Sequence, residues 1–231
     1  MWNNYFVNIQ HKYSMRISSK SPLIIRYDGK DMTKNMSINF LENYKGSFSN
    51  SMENTVQYFT HRYKCFAIFG SDEVSFIIEN PSQIIKDCGS FHVNKIMSLF
   101  SQYFFDYFNH YNKHTKIFWH GDCFSIPIGK INSYIKYRSG IIKSVMPVYF
   151  LKRKNIKERN MKLSEMIEKC KQFEDYKLLE NVLYGTLYFN GQKIDLNKYL
   201  KEGIVKVNDD NVKKEDIIID LSEIEWEDNN D

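Results

Sequence analysis

An α+β fold is predicted from three observations. The chain has short apolar, β-branched runs bounded by turn residues, and longer segments with apolar residues every three to four positions. The third observation is the order in which these two kinds of segment alternate. Residues 22 to 28, PLIIRYD, make a first strand: Pro22 marks its start, the run is short and buried in character, and Asp28-Gly29-Lys30 ends it. Residues 48 to 64 carry Met52, Val56, Phe59 and Tyr63 at helical spacing. CFAIFG and EVSFIIE are two strands separated only by Gly70-Ser71-Asp72, a tight hairpin turn. From Ser90, SFHVNKIMSLFSQYFFDYFNHY keeps the helical period for five turns or more, a long helix with one broad buried face. DCFSIP alternates briefly and stops at Pro127, which suits a last strand.

Strand, helix, strand, strand, helix, strand is the split βαβ, ferredoxin-like arrangement, βαββαβ. Its first and third strands lie side by side and antiparallel at the sheet centre. The end of the first then faces the beginning of the third, which brings Asp28 next to Asp72 and Glu73. Residues 130 to 180 are mostly helical in pattern, with a basic run, LKRKNIKERNMK, at 151 to 162 and the amphipathic LSEMIEKCKQF after it. YGTLYFNGQKID reads as a small β-hairpin turning at Asn190 and Gly191.

At 231 residues the chain can bury one sizeable core, and no stretch approaches the roughly 20 apolar residues that span a bilayer. The N-terminus lacks the apolar block of a signal peptide, so a soluble, cytoplasmic protein is expected. Cys65, Cys88, Cys123 and Cys170 include no C-x-x-C pair, which argues against a zinc knuckle or redox dithiol. His110 and His114 sit four apart on the long helix but lack a third ligand, and are read as solvated or core histidines. Charge is divided unevenly. Residues 209 to 231 hold ten acidic and two basic residues, a net of −8; the whole chain carries +4, so residues 1 to 208 carry +12. A basic body favours polyanions such as RNA, while the acidic tail adds solubility or covers that surface.

Two carboxylates forced together repel unless a cation sits between them. Oxygen-only ligands favour Mg²⁺, which keeps waters and takes phosphate oxygens for its remaining positions. Gly29 directly after Asp28 lets a phosphate approach the backbone closely. Either motif alone is an ordinary turn. Together, at positions the topology makes adjacent, they describe a palm-type nucleotidyl-transfer site with two metals. Strand alternation turns Asp72 and Glu73 to opposite faces unless a bulge intervenes, so Asp72 is assigned to metal and Glu73 to a supporting role. Residues 1–128 are expected to form the palm domain, 129–208 a helical and β-hairpin RNA-binding extension packed on it, and 209–231 an acidic tail.

At these residues the sequence resembles the tRNA-His guanylyltransferase family, including the related 3'-to-5' RNA polymerases. IIRYDGKDM is similar to that family's R-x-D-G-R-x-F segment at Arg26, Asp28 and Gly29, with Lys30 and Met32 in the last two motif positions. GSDEVSF matches its S-D-E-x-S-F segment at Ser71, Asp72, Glu73, Ser75 and Phe76. VNKIMSLFSQYF is similar to its long helix, and WHGDCFSIP followed by YIKYR resembles its F-D-G-R-x-x-x-x-P block and the Y-x-x-W-R after it. YLKEGIVK resembles a late Arg-Lys-Gly strand.

The resemblance implies addition of nucleotides to the 5' end of tRNA or tRNA-like RNA. A 5'-phosphate activated by ATP, or already a triphosphate, is attacked by the 3'-hydroxyl of an incoming GTP, ATP or other NTP. Asp28, Asp72 and Glu73 are then catalytic. Asp28, the Gly29 carbonyl and Asp72 hold two Mg²⁺. Lys30, Asp31, Met32, Thr33, Lys45 and Ser71 line the nucleotide with Asp28, Gly29 and Asp72. Arg138, Lys143, Lys152, Arg153, Lys154, Lys157 and Arg159 are the candidates for tRNA phosphates, and the family implies a homotetramer. After Y-x-x-W-R the family's His-Ile-Asn-Asn-Leu-Tyr-Asn segment is replaced by SGIIKSVMPVYF, with Lys143 where the histidine falls. A repair-type or divergent 3'-to-5' polymerase suits that change better than histidine-specific addition. Two other classes remain open: a palm-type cyclic nucleotide or oligonucleotide synthase, and an RNA-binding module without turnover.

Overall fold

The computed structural model describes residues 15–30, 47–111, 117–158 and 160–202. The elements run β1 (Leu23–Gly29), α1 (Ser47–Tyr63), β2 (Phe66–Gly70), β3 (Glu73–Ile78), α2 (Ser82–Cys88), α3 (Val93–Tyr111), β4 (Trp119–Ser125), α4 (Ile131–Arg153), α5 (Leu163–Cys170), α6 (Tyr176–Glu180), β5 (Thr186–Phe189), β6 (Gln192–Ile194) and α7 (Leu196–Glu202). They form one six-stranded sheet in the order β4-β1-β3-β2-β5-β6, every pairing antiparallel. β1 and β3 are therefore neighbours, as the split βαβ reading expects, and both lie in the buried interior of the sheet.

Alternation along β1 divides the core from the site. Leu23, Ile25 and Tyr27 point to the face covered by α1 and α3, where the Tyr27 ring stacks on Phe104 at 4.5 Å and Phe59 lies 4.7 Å from Phe100. Ile24, Arg26 and Asp28 point to the opposite face, toward α4. There Ser75 Oγ lies 3.1 Å from the Tyr134 hydroxyl. α4 runs so close to the sheet that a Cβ added at Gly70 would meet Ile142 Cγ2 at 2.6 Å.

Three elements differ from the sequence expectations. β4 begins at Trp119, before the DCFSIP run, because the Trp119 indole packs edge-on against Phe104 and Phe108, both at 5.3 Å, and anchors the strand from the helical face. β5 and β6 do form a hairpin, with Asn190 and Gly191 both at positive φ, 48° and 78°, the signature of a type I′ turn. That hairpin joins the main sheet, where β5 pairs with β2 from Phe66↔Phe189 to Phe69↔Thr186. Of the YLKEGIVK segment, likened to a late strand, the described residues through Glu202 lie in helix α7, and the rest falls outside the described residues. The acidic tail lies outside the described residues. Among the described residues no helix is long and apolar enough to cross a membrane.

Candidate active site

The β1–β3 register pairs Asp28 directly with Glu73 and Arg26 with Ser75. β4 pairs on the other side, setting His120 opposite Asp28 and Asp122 opposite Arg26. Cross-strand partners share a face, so Arg26, Asp28, Glu73, His120 and Asp122 converge on one side of the sheet. The β2–β3 turn brings in Asp72, whose carbonyl accepts a 2.9 Å hydrogen bond from the Gly29 N–H. The juxtaposition expected from sequence, Asp28 beside Asp72 and Glu73, is present.

The site carries its own cation. Arg26 Nη2 contacts Asp28 Oδ2 and lies 3.2 Å from Glu73 Oε2, while Nη1 lies 3.2 Å from Asp122 Oδ2. Burial pulls the Arg26 guanidinium down, but the carboxylates of Glu73, Asp28 and Asp122 outweigh it and leave it raised. Glu73 receives a second guanidinium, Nη2 of Arg138 from α4. Both arginines leave Nε buried without an acceptor among the described residues.

Asp72 is 7% exposed and accepts a 2.7 Å hydrogen bond from Ser71 Oγ. Burial pushes its carboxyl above the usual carboxylate range. The Ser71 hydrogen bond opposes that rise, and the nearby charges of Asp28 and Glu73 add to it. Ser71 holds a left-handed conformation, φ 58°, which turns the chain so that its hydroxyl meets the next residue's carboxylate. A buried carboxylate destabilised by two like charges is the electrostatic setting that a divalent cation relieves. Two carboxylates and a backbone carbonyl also fit the sparse protein shell of Mg²⁺, which takes most of its ligands from water and phosphate. Among the described residues no group of three or more His, Cys, Asp or Glu side chains is disposed as a metal cage.

The other predicted residues divide. Lys30 closes β1, its N–H donating to the Phe118 carbonyl at 2.7 Å. Asp31, Met32, Thr33, Lys45, His114 and Arg159 lie outside the described residues. His110 is exposed beside Tyr111. Arg138 is corrected: expected among the RNA-facing cations, it is 5% exposed and pairs with Glu73, because the α4 face it occupies is the one packed on the sheet. Lys154 is tied to Asp175 at 2.8 Å and lies over the Phe173 ring at 5.1 Å. Lys152 lies 3.5 Å from Glu158, Lys143 Nζ is 4.7 Å from the Tyr184 ring centroid, Arg153 is half-buried and Lys157 is exposed. Sequence reasoning assigned no role to Asp122 or His120. Their spacing of two on β4 is the available signal, hidden when the strand is taken to begin at Asp122.

Comparison of the fold with solved structures gives a consistent result. The chain is similar to a bacterial tRNA(His) guanylyltransferase-like protein in complex with ATP, with a TM-score of 0.61 and 15% identity, covering 82% of this chain and 88% of that one. A bacterial guanylyltransferase-like protein in complex with GTP aligns at 0.58 and 14% identity, covering 81% and 83%. The tRNA(His) guanylyltransferase of Saccharomyces cerevisiae aligns at 0.54 and 15%, covering 80% and 93%. No protein-family model and no curated sequence matches the chain. The likeness is thus one of fold: over four-fifths of its length the chain adopts the fold of tRNA(His) guanylyltransferase-like structures.

Proposed function

We propose that this chain is a Mg²⁺-dependent nucleotidyltransferase that adds nucleotides to the 5' end of tRNA or tRNA-like RNA, working in the 3'-to-5' direction. The observation that carries the reading is the buried Asp72 carboxylate beside the cross-strand Asp28–Glu73 pair, at the end of β1 in a fold similar to ATP- and GTP-bound guanylyltransferase-like proteins.

Asp28, Asp72 and the Gly29 carbonyl would hold the metal. When bound, it supplies charge neutralisation for the triphosphate and for the attacking hydroxyl. Lys30 to Thr33, with Lys45, bind the triphosphate. Ser71 orients Asp72, and Arg138 holds Glu73 in place, so that Glu73 in turn positions Arg26 over Asp28. In the reaction the 3'-hydroxyl oxygen of the incoming NTP bonds to the activated 5'-phosphorus. The bond to the pyrophosphate or AMP leaving group breaks, and the hydroxyl proton is released. Lys143, Lys152, Arg153, Lys154, Lys157 and Arg159 draw the RNA by charge, with Lys157 the most open of the described members. Replacement of the family's His-Ile-Asn-Asn segment supports a repair-type or divergent substrate.

A second reading, an RNA-binding module without turnover, is favoured by Arg26: its guanidinium already pairs with Asp28, one of the two carboxylates that a metal would use. One assay separates the two. Purified protein, 5'-triphosphorylated truncated tRNA, labelled NTPs and Mg²⁺ should give RNA one or more nucleotides longer, with none from Asp72→Ala. Failure of the wild type across several RNAs and all four NTPs, with RNA binding intact, would establish the second reading. A cyclic product from NTPs alone would replace both with a synthase.

A further inference from the structure

On the α4 side of the sheet the carboxylates adjoin a row of aromatic rings. Phe124 stands two residues from Asp122 on β4, hence on the same face, and its ring centroid is 6.1 Å from Tyr134. Tyr134 is 6.2 Å from Tyr137, one turn further along α4, and the Arg138 guanidinium lies 5.5 Å from the Tyr137 ring centroid. Tyr134 is anchored by its hydroxyl at Ser75. The two ends of the row are open, with Phe124 37% and Tyr137 48% exposed, and Ile128 and Ile141 are exposed as well. Lys130, just before α4, and Lys136 are both exposed.

Large aromatic rings left in water are an energetic cost that a soluble surface usually avoids unless something covers them. Aromatic faces flanked by cations suit single-stranded nucleic acid: every base offers a π-face to stack, and lysines take up the backbone charge. Three rings in a row outsize one nucleobase, so the row fits a strand better than the base of one NTP. The Lys130 and Lys136 ammoniums match a polyanion and would oppose a second copy of the same basic surface.

We propose that the Phe124–Tyr134–Tyr137 row stacks the terminal bases of the acceptor RNA and so delivers its 5' end to the carboxylate site. This rests on the RNA-acceptor reading above. It relocates the main RNA contact from the 151–162 basic run, where Lys152 and Lys154 are paired internally, to the sheet edge beside Asp122.

The test measures binding of a short 5'-triphosphorylated single-stranded RNA by fluorescence anisotropy, without NTP or metal. A second RNA carries abasic sites at its 5'-terminal positions. Wild-type protein should prefer the natural RNA by about tenfold or more, and Phe124→Leu and Tyr137→Leu should each lose about tenfold on it while binding the abasic RNA as the wild type does. Leucine keeps an apolar side chain at each position while removing the π-face, and circular dichroism verifies the fold. Equal losses on both RNAs, or no loss on either, would overturn the proposal. So would unchanged RNA binding with a shift in sedimentation, which would make the row an interface between copies. Because no turnover is measured, absence of 5' addition alongside base-dependent binding would sink the enzymatic reading and leave this surface standing.

Discussion

The Arg138 guanidinium of α4 reaches Glu73 at the start of β3 in an ion pair closed on both sides, the two side chains being 7% and 11% exposed. It links a helix beyond the βαββαβ unit to the carboxylates of the sheet. Arg138→Met strips Glu73 of its more buried partner and leaves Arg26 alone to compensate it. Breaking a buried pair from one side costs about 3–5 kcal/mol. The remaining Arg26 contact puts the expected loss at the lower end, and denaturant unfolding measures it. Arg138→Lys should recover part of the stability, because an ammonium keeps the charge opposite Glu73 but not the planar guanidinium packed beside Tyr137.

Asp72 titrates in the opposite sense to a salt-bridged carboxylate. Its folded-state pKa is raised, so the native state binds more protons than the unfolded state between the ordinary carboxylate value, about 3.9, and the raised one. The destabilisation it causes is absent below the ordinary value and complete above the raised one. Asp72→Asn should therefore raise the Tm relative to wild type at neutral pH, with the gap closing as pH falls through that window. A thermal-denaturation series over acidic to neutral pH reads this directly. The same proton competes with any divalent cation at Asp72, so Mn²⁺ affinity should fall on acidification earlier than for an unshifted carboxylate.

Three glycines should respond differently to alanine. Gly185 has φ 85°, and an added Cβ would lie 2.9 Å from the Phe69 carbonyl oxygen and 2.8 Å from Ile142 Cδ1, so Gly185→Ala combines backbone strain with overpacking and should cost about 2–4 kcal/mol. Gly89 has φ 62° with nothing within 4 Å, and Gly89→Ala should cost only about 1 kcal/mol. Gly140 lies inside α4 in open space at an ordinary helical φ, and Gly140→Ala should stabilise by about 0.5–1 kcal/mol. Urea denaturation of the three variants tests the ranking.

The basic run separates into structural and free charge. Lys154→Ala removes the Asp175 ion pair and the ammonium's contacts over the Phe150 and Phe173 rings, and should cost about 1 kcal/mol of stability. Lys157→Ala removes an exposed charge and should leave stability unchanged. If Lys157 meets RNA phosphate, the slope of log affinity against log salt should fall by about one. Salt-titrated binding of both variants checks the division.

The local signals in the chain determined which segments are strands and helices and where acidic residues end them. The apolar run of β1, the helical period of α1 and α3, the Ser71-Asp72 turn and the Asn190-Gly191 turn are each encoded within a few residues, where propensity and periodicity act. Since a split βαβ order has few antiparallel solutions, the approach of Asp28 to Asp72 and Glu73 was legible too. Only the tertiary structure decided what compensates those carboxylates. Asp122 looks in sequence like any surface charge, Arg138 reads as a phosphate contact, and the partners of Arg26 are not encoded near it. Their roles depend on cross-strand register and on which face of α4 meets the sheet. The pairing of the β5–β6 hairpin with β2 and the aromatic row beside Asp122 were decided the same way. Such contacts join residues far apart in the chain, and their energy exists only once burial has removed water from between them.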